Sequence, residues 1–365
     1  MSGTSLDGLD ISFLKTDGYN VIKPIFNTTY NYSNLIKLLL KYSIKTFEKE
    51  LQKNSLNIQK KIIFFESIFS YFCFKKLMKF FNKFSLSKGD IDLIGFHGQT
   101  LYHNANKKIS FQLGDANYLS KKLNIAVITK FRQADLDNGG QGAPLVPLYH
   151  QKLFSKKNKN IAVINIGGIS NLTFLLKNSK VFSTDIGPGN KLIDEFCMKI
   201  LGKKYDFNGM YSAKGKENIK IVEGWKEKNI FKKKIPRSFN NNDFILDEYM
   251  NKYLSDPYDF LASLVCFTAS LINESINFFD NSPSYIVVCG GGALNKTLIK
   301  KLKSLTKIPL FISNKFGFPL EFIESQAFGY YAVRKALNLP VTFSSTTGAR
   351  IPTVCGEINH PKYPF

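Results

Sequence analysis

Arginine is scarce in a strongly basic chain. Of 365 residues, Lys plus Arg number 50 and Asp plus Glu 28, yet Arg occurs only at Arg132, Arg237, Arg334 and Arg350. Proteins that read nucleic acid favour Arg forks and aromatic stacking platforms. Neither motif is present, so the net charge of +22 reads as Lys scattered among Asn, Ile and Phe, and no nucleic-acid partner is expected. Cysteine is also sparse. Cys73, Cys197, Cys266, Cys289 and Cys355 are odd in number and far apart, with no pair at zinc-ligand or redox spacing. They read as buried thiols in a reducing compartment. His97 and His103 are too few and too separated to argue for a metal site. The start of the sequence shows no basic n-region followed by an apolar h-region, so no secretory signal is expected. The most apolar run, "IIFFESIFSYFCF" at 62–74, is too short to span a bilayer and carries Glu66. Flanked by Lys60, Lys61, Lys75 and Lys76, it reads as an amphipathic helix on a core, and a cytoplasmic protein without a membrane partner is expected.

The familiar nucleotide motifs are missing as well. No G-x-G-x-x-G follows an early strand, which disfavours a dinucleotide-binding fold. "GGGALNKT", from Gly290 to Thr297, nearly spells a P-loop, but Asn295 stands where the second glycine is required. With hydrophobic residues at 44%, the chain is a folded one, and its length suits two domains.

What the sequence does contain is a series of strands followed by glycine turns. "DISFLKTDGYN" at 10–20 reads as a strand closing in an Asp-Gly turn, and 33–84 reads as two helices. "IAVINIGGISNLTFLL" at 161–176 is strand, Gly pair, strand; "DIGPGNKLIDEFCMKIL" at 185–201 is a Gly-rich turn feeding a helix. Residues 257–279 predict a long, mostly buried helix, and "YIVVCGGGALNKTLIKKLKSL" at 285–305 predicts strand, glycine triplet, helix. Glycine lets backbone N–H groups approach an anion, and a helix N-terminus behind the turn adds a favourable dipole. Three such turns suit a split anion site on two α/β lobes, with the lobes expected at 1–150 and 151–365.

"MSGTSLDGLD", "GFHGQTLYH", "FQLGDANYL", "FRQADLDNGGQGAPLVPLYH", "NIGGISNLT", "DIGPGNKLID", "GGGALN" and "ESQAFG" occur in an order that resembles the anhydro-N-acetylmuramic acid kinases. "DPYDFLASLVCFTASLI" and "STTGARIPTVCGEI" look like that family's long helix and C-terminal segment. The resemblance implies an α/β fold of the sugar kinase, Hsp70 and actin class, with two RNase H-like lobes around a central ATP cleft. It implies a cytoplasmic, usually dimeric enzyme that uses ATP and water to open the 1,6-anhydro ring and phosphorylate O6. A non-catalytic ATP-binding module of the same fold is the alternative, disfavoured by the retained Asp185 and sugar-side motifs.

Carried onto this sequence, the resemblance makes Asp185 the base that takes a proton from water; the competing reading is a helix cap. Glu324 becomes a second carboxylate near the sugar, or else a first-turn helix acid. Gly3, Thr4, Ser5, Leu6, Asp7, Gly8, Leu9 and Asp10 match a first phosphate loop, with Asp10 or Asp7 holding Mg²⁺ through water. Gly167, Gly168 and Asn171 would meet the phosphates from the second lobe, and Gly290, Gly291, Gly292 and Asn295 would border the nucleoside. His97, Gln99, Asp115, Arg132 and Asp135 fall on the sugar side. Arg132 would pair bidentately with the lactyl carboxylate of the substrate or form a structural pair with Asp135. The family carries a short apolar strand ahead of its "MSGTS"-like loop, whereas here Met1 stands at the loop; a start codon further upstream would restore that strand. "IPRSFNNNDF" at 235–244 departs from the family, with Asn240, Asn241 and Asn242 where members often carry Gly and charged residues.

Overall fold

The structure is a computed structural model that describes residues 1–3, 6–53, 57–232, 235–239, 241–250, 256–279 and 281–361. Along the chain run strands β1 (Gly8–Thr16), β2 (Ile22–Asn31), β3 (Leu93–Gly95), β4 (Gln99–Asn104), β5 (Ile109–Leu113) and β6 (Ala126–Thr129). They are followed by β7 (Ile161–Ile166), β8 (Ile169–Leu175), β9 (Val181–Pro188), β10 (Tyr285–Cys289), β11 (Leu310–Ile312) and β12 (Glu357–Asn359). The chain forms two compact units: Met1–Tyr149 together with the segment from Glu324 onward, and His150–Ile323. This corrects the expectation that everything after residue 150 belongs to one lobe. The helix Ile323–Ala336 is tied into the first unit by Ser325, whose hydroxyl bonds that of Ser12 at 2.6 Å, and by Gln326, which donates to Asn27 at 3.1 Å. Gly95 lets β3 run flush against this helix, since a Cβ there would sit 2.1 Å from the Phe328 carbonyl oxygen.

The second unit is an RNase H-like lobe. β7, β8 and β9 form an antiparallel meander, while β10 joins β7 and β11 joins β10 in parallel, giving the order β11-β10-β7-β8-β9. β7 reads "IAVINI" because strands of a mixed sheet covered on both faces need an almost continuous apolar run. The long helix expected at 257–279 spans Pro257–Asn277. Asp256 caps it, accepting from the Tyr258 N–H at 2.7 Å, and Pro257 fits the first turn, where no intrahelical donor is needed. By length and composition this helix would reach across a membrane, but 78% of its most apolar window is buried inside the fold.

In the first unit, β1 and β2 form a hairpin whose turn is pinned by Asp17, one carboxylate oxygen of which accepts from the N–H groups of Tyr19, Asn20 and Val21. β3 pairs in parallel with β6, which pairs antiparallel with β12; β4 and β5 form a second hairpin. The Lys-, Leu- and Phe-rich stretch forms helices Asn34–Lys53 and Asn57–Lys83. Phe65, Phe69, Cys73 and Phe80 bury one helical face, while Ile63 and Phe64 are exposed.

Read in the scheme of the second unit, β1 and β2 take the places of β8 and β9, and β3 and β6 those of β10 and β11. In that scheme Met1–Ser2 falls at the place of β7, and Ser2 bridges Leu9 antiparallel and Gln99 in parallel. Beyond Met1 lies a cavity of about 310 Å³ lined by β1, β3, Cys73, Leu77 and Phe80.

Candidate active site

The first site feature is a row of side chains across four strands of the second unit. Strand register places Cys289 of β10 opposite Asn165 of β7, Asn165 opposite Asn171 of β8, and Asn171 opposite Asp185 of β9. Partners in register point to one face of a sheet, so Asn165, Asn171 and Asp185 share a face. The row lies where β7 and β10 end in glycine turns. Asp185 stands within β9, not at the head of a turn, and the N-cap position of helix Lys191–Ile200 is filled by Asn190. The capping alternative for Asp185 is thereby removed.

Asp185 is buried, and its carboxylate accepts from the Phe239 N–H at 2.8 Å. Arg237 lies alongside: its backbone oxygen accepts from the Asp185 N–H at 2.9 Å, and its guanidinium donates to the carbonyls of Asp185, Ile186 and Phe231. Burial lowers the Arg237 pKa, and attraction to Asp185 opposes that shift.

Three glycine turns meet at this end of the sheet. The Gly167 carbonyl accepts from Asn190 N–H at 2.8 Å and the Gly168 carbonyl from Gly189 N–H at 2.9 Å. A Cβ on Gly189 would lie 2.4 Å from the Gly167 oxygen, so only glycine allows the approach. Gly290 has φ +79, and a Cβ there would lie 2.4 Å from the Asn165 side-chain oxygen. Gly291 and Gly292 open the turn Gly291–Leu294. Asn295 is turned to structural use: it caps helix Lys296–Thr306 through the Leu298 N–H and donates to buried Asp206 at 3.1 Å.

The remaining expected residues lie in the first unit. Thr4 and Ser5 fall outside the described residues. Leu6 is buried with φ +54, Asp7 is exposed, and Gly8 abuts the Tyr30 carbonyl, where a Cβ would lie 2.8 Å from the oxygen. Leu9 is core, and Asp10 exchanges backbone hydrogen bonds with Met1 while one carboxylate oxygen accepts from Thr29 at 2.6 Å. Gly3 accepts from the Leu6 N–H at 3.3 Å. Glu324 opens helix Ile323–Ala336, and its charge acts on the Met1 ammonium.

His97, Arg132 and Asp135 are drawn together around Gly142. His97 directs Nδ1 to the Gly98 carbonyl at 3.0 Å and accepts from Arg132 Nε at 3.1 Å, which assigns its proton to Nδ1. Burial, and then the Arg132 charge, push its pKa well below the usual value, so the ring is neutral. Arg132 Nη1 donates to the Gly142 carbonyl at 2.8 Å, and buried Asp135 accepts from the Gly142 N–H at 2.7 Å and from Thr347 at 2.6 Å. Arg132 and Asp135 thus brace one loop from its two backbone groups. Gln99 is fully buried, accepting from the Ser2 hydroxyl, and Asp115 caps helix Ala116–Leu123 through the Tyr118 N–H at 2.9 Å.

A family model described as anhydro-N-acetylmuramic acid kinase matches residues 1–361 of this chain. The chain belongs to the anhydro-N-acetylmuramic acid kinase family. The relative of that name from Pelagibacter ubique is 39% identical over 377 residues, covering 98% of this chain and 96% of that relative. The one from Zymomonas mobilis is 33% identical over 361 residues, covering 99% and 98%. Among solved structures, the activator of the 2-hydroxyisocaproyl-CoA dehydratase from Clostridium difficile aligns at a TM-score of 0.43 and 11% identity, over 90% of this chain and 96% of that one.

For this kinase-family chain the donor set suits a nucleotide-borne magnesium better than a protein-caged metal. No group of three or more His, Cys, Asp or Glu side chains converges among the described residues. Asp7, just ahead of β1, and Asp10, within it, put two carboxylates near the chain's start, and Mg²⁺ commonly takes one or two beside substrate phosphates. Two site residues escaped sequence reasoning, Asn165 and Arg237. Asn165 meets Asn171 because the connection between the paired Ile166 and Ser170 is three residues long, Gly167–Ile169, one more than the Gly pair alone suggests.

Proposed function

We propose that this protein transfers the γ-phosphoryl group of ATP to O6 of 1,6-anhydro-N-acetylmuramic acid as water opens the anhydro ring. Asp185 takes a proton from water as its oxygen bonds the anomeric carbon. The bond from that carbon to O6 breaks, O6 bonds the γ-phosphorus, and ADP leaves with the electron pair of the bond that joined it. The products are N-acetylmuramic acid 6-phosphate and ADP. The observation that carries the reading is the row Asn165–Asn171–Asp185 at the rim of three glycine turns, in a member of this family. A buried carboxylate held by a backbone N–H is pre-set in position, and positioning is most of what phosphoryl transfer asks of a protein.

In this reading Gly167, Gly168, Asn171 and the loop Gly3–Asp10 contact the phosphates, and Gly290–Gly292 border the nucleoside. Asn295 acts indirectly, by fixing that turn through Asp206. Asp7 or Asp10 would hold Mg²⁺, which would supply charge neutralisation on the phosphates. Arg132 recognises the lactyl carboxylate with a guanidinium already oriented by His97 and Gly142; His97, Gln99, Asp115 and Asp135 shape the sugar side, with Glu324 as second carboxylate. The enzyme works in the cytoplasm as a homodimer without nucleic-acid or membrane partners. The test incubates purified protein with ATP, Mg²⁺ and the anhydro sugar. The 6-phosphate forms with wild type and not with folded Asp185→Asn. No product from a folded chain carrying an added upstream strand overturns the reading.

A further inference from the structure

The segment 235–244 departs from the family pattern at Asn240–Asn242, and its earlier residues Arg237 and Phe239 lie directly against the carboxylate that the mechanism uses. β9 is an edge strand of the second unit's sheet. On its outer side the Arg237 N–H donates to the Thr184 hydroxyl at 3.1 Å, and the Asp185 N–H donates to the Arg237 carbonyl at 2.9 Å. Two residues on, the Phe239 N–H donates to the Asp185 carboxylate at 2.8 Å. The Arg237 side chain then folds back, donating through Nε to the Asp185 carbonyl at 3.2 Å and through Nη2 to the Ile186 carbonyl at 3.1 Å. Its Nη1 reaches the Phe231 carbonyl, and its guanidinium carbon stands 5.2 Å from the centre of the Phe239 ring. A guanidinium can satisfy three carbonyls in fixed directions; an ammonium has no such planar fork.

We propose that Arg237 is a positioning residue for the reaction: it locks the segment 237–239 onto the end of β9, so that the Phe239 N–H holds the Asp185 carboxylate in the orientation that receives the proton from water. This rests on the reading of Asp185 as the base. Loss of the fork frees the 237–239 segment, and the carboxylate then samples rotamers that miss the water. Ground-state contacts with ATP and sugar are made elsewhere, so binding is spared.

The test compares the full-length wild type with Arg237→Gln, Arg237→Lys and Asp185→Asn, measuring kcat and both KM values, with the melting temperature alongside. Arg237→Gln is expected to lower kcat on the order of 10- to 100-fold, the scale of an ångström-level misplacement, with each KM within about threefold. Arg237→Lys keeps the cation but not the fork, and its kcat falls between the two with the melting temperature retained; it serves as the readout should the Gln variant not fold. Wild-type kcat in both folded Arg237 variants overturns the proposal, as does a loss carried by KM alone. Full activity in Asp185→Asn would sink the assignment of the base itself. An inactive Asp185→Asn beside fully active Arg237 variants would sink only the clasp.

Discussion

Acid should weaken the second unit through one residue, His150. Its ring is 1% exposed, with Nδ1 2.9 Å from the Thr173 hydroxyl and Nε2 3.9 Å from Cys289 Sγ. Burial disfavours the imidazolium and pushes the pKa down from 6.5 to about 3. As pH falls, the unfolded chain therefore binds this proton first. The stabilisation is complete above about pH 6.5 and is lost progressively as pH falls toward 3. Between pH 7 and pH 5 the loss from this group alone is about 2 kcal/mol, a sizeable part of a typical domain's stability. The chain's single tryptophan, Trp225, is buried in the same unit against Tyr249, Phe260 and Phe267, so its fluorescence follows the unfolding of that unit. Urea titrations at pH 7, 6 and 5 should show the loss in wild type. His150→Gln, which cannot titrate, should lower stability at pH 7 yet flatten the pH dependence by about 2 kcal/mol. Equal pH dependence in the two proteins would mean that His150 is not the group whose protonation weakens the unit.

Gly290→Ala should cost about 1–3 kcal/mol, because its φ of +79 strains any other residue and the added Cβ would strike Asn165. Thermal melting should show the loss and nucleotide titration a weakened affinity; an unchanged affinity would separate this turn from the nucleotide. A strand of several apolar residues joined ahead of Met1 should fill the 310 Å³ cavity, extending the antiparallel bridge that Ser2 makes to Leu9 of β1. Burying two or three such side chains is worth about 3–6 kcal/mol before ordering costs, so the melting temperature should rise and ATP should bind more tightly. Unchanged values would mean that the N-terminal loop supports itself.

The lobe topology was largely legible because its signals are local: apolar runs, glycine turns, and Asp256–Pro257 heading a long helix. The return of residues 324 onward to the first unit was not, since it depends on pairings such as Ser12 with Ser325 that no local pattern announces. The same limit applies to the site. Motif matching singled out Asp185 as a candidate, and its helix-capping alternative could be dismissed only once β9 was seen to run through Pro188. Asn295 looked like a ligand because a buried cap and a ligand favour the same amide. Arginine scarcity was itself an unread signal. In a chain that meets solvent with Lys, three of the four Arg are half-buried or buried forks on backbone carbonyls: Arg132 on Gly142, Arg237 on three, and Arg334 on Gly18 and Pro340.

Running the reaction in ¹⁸O-labelled water shows whether water held by Asp185 opens the ring while O6 takes the phosphoryl group. One label per product sugar is expected at the anomeric position, none in the phosphoryl group, and no labelled product from Asp185→Asn. Label appearing in inorganic phosphate, with the anhydro sugar unchanged, would contradict this mechanism.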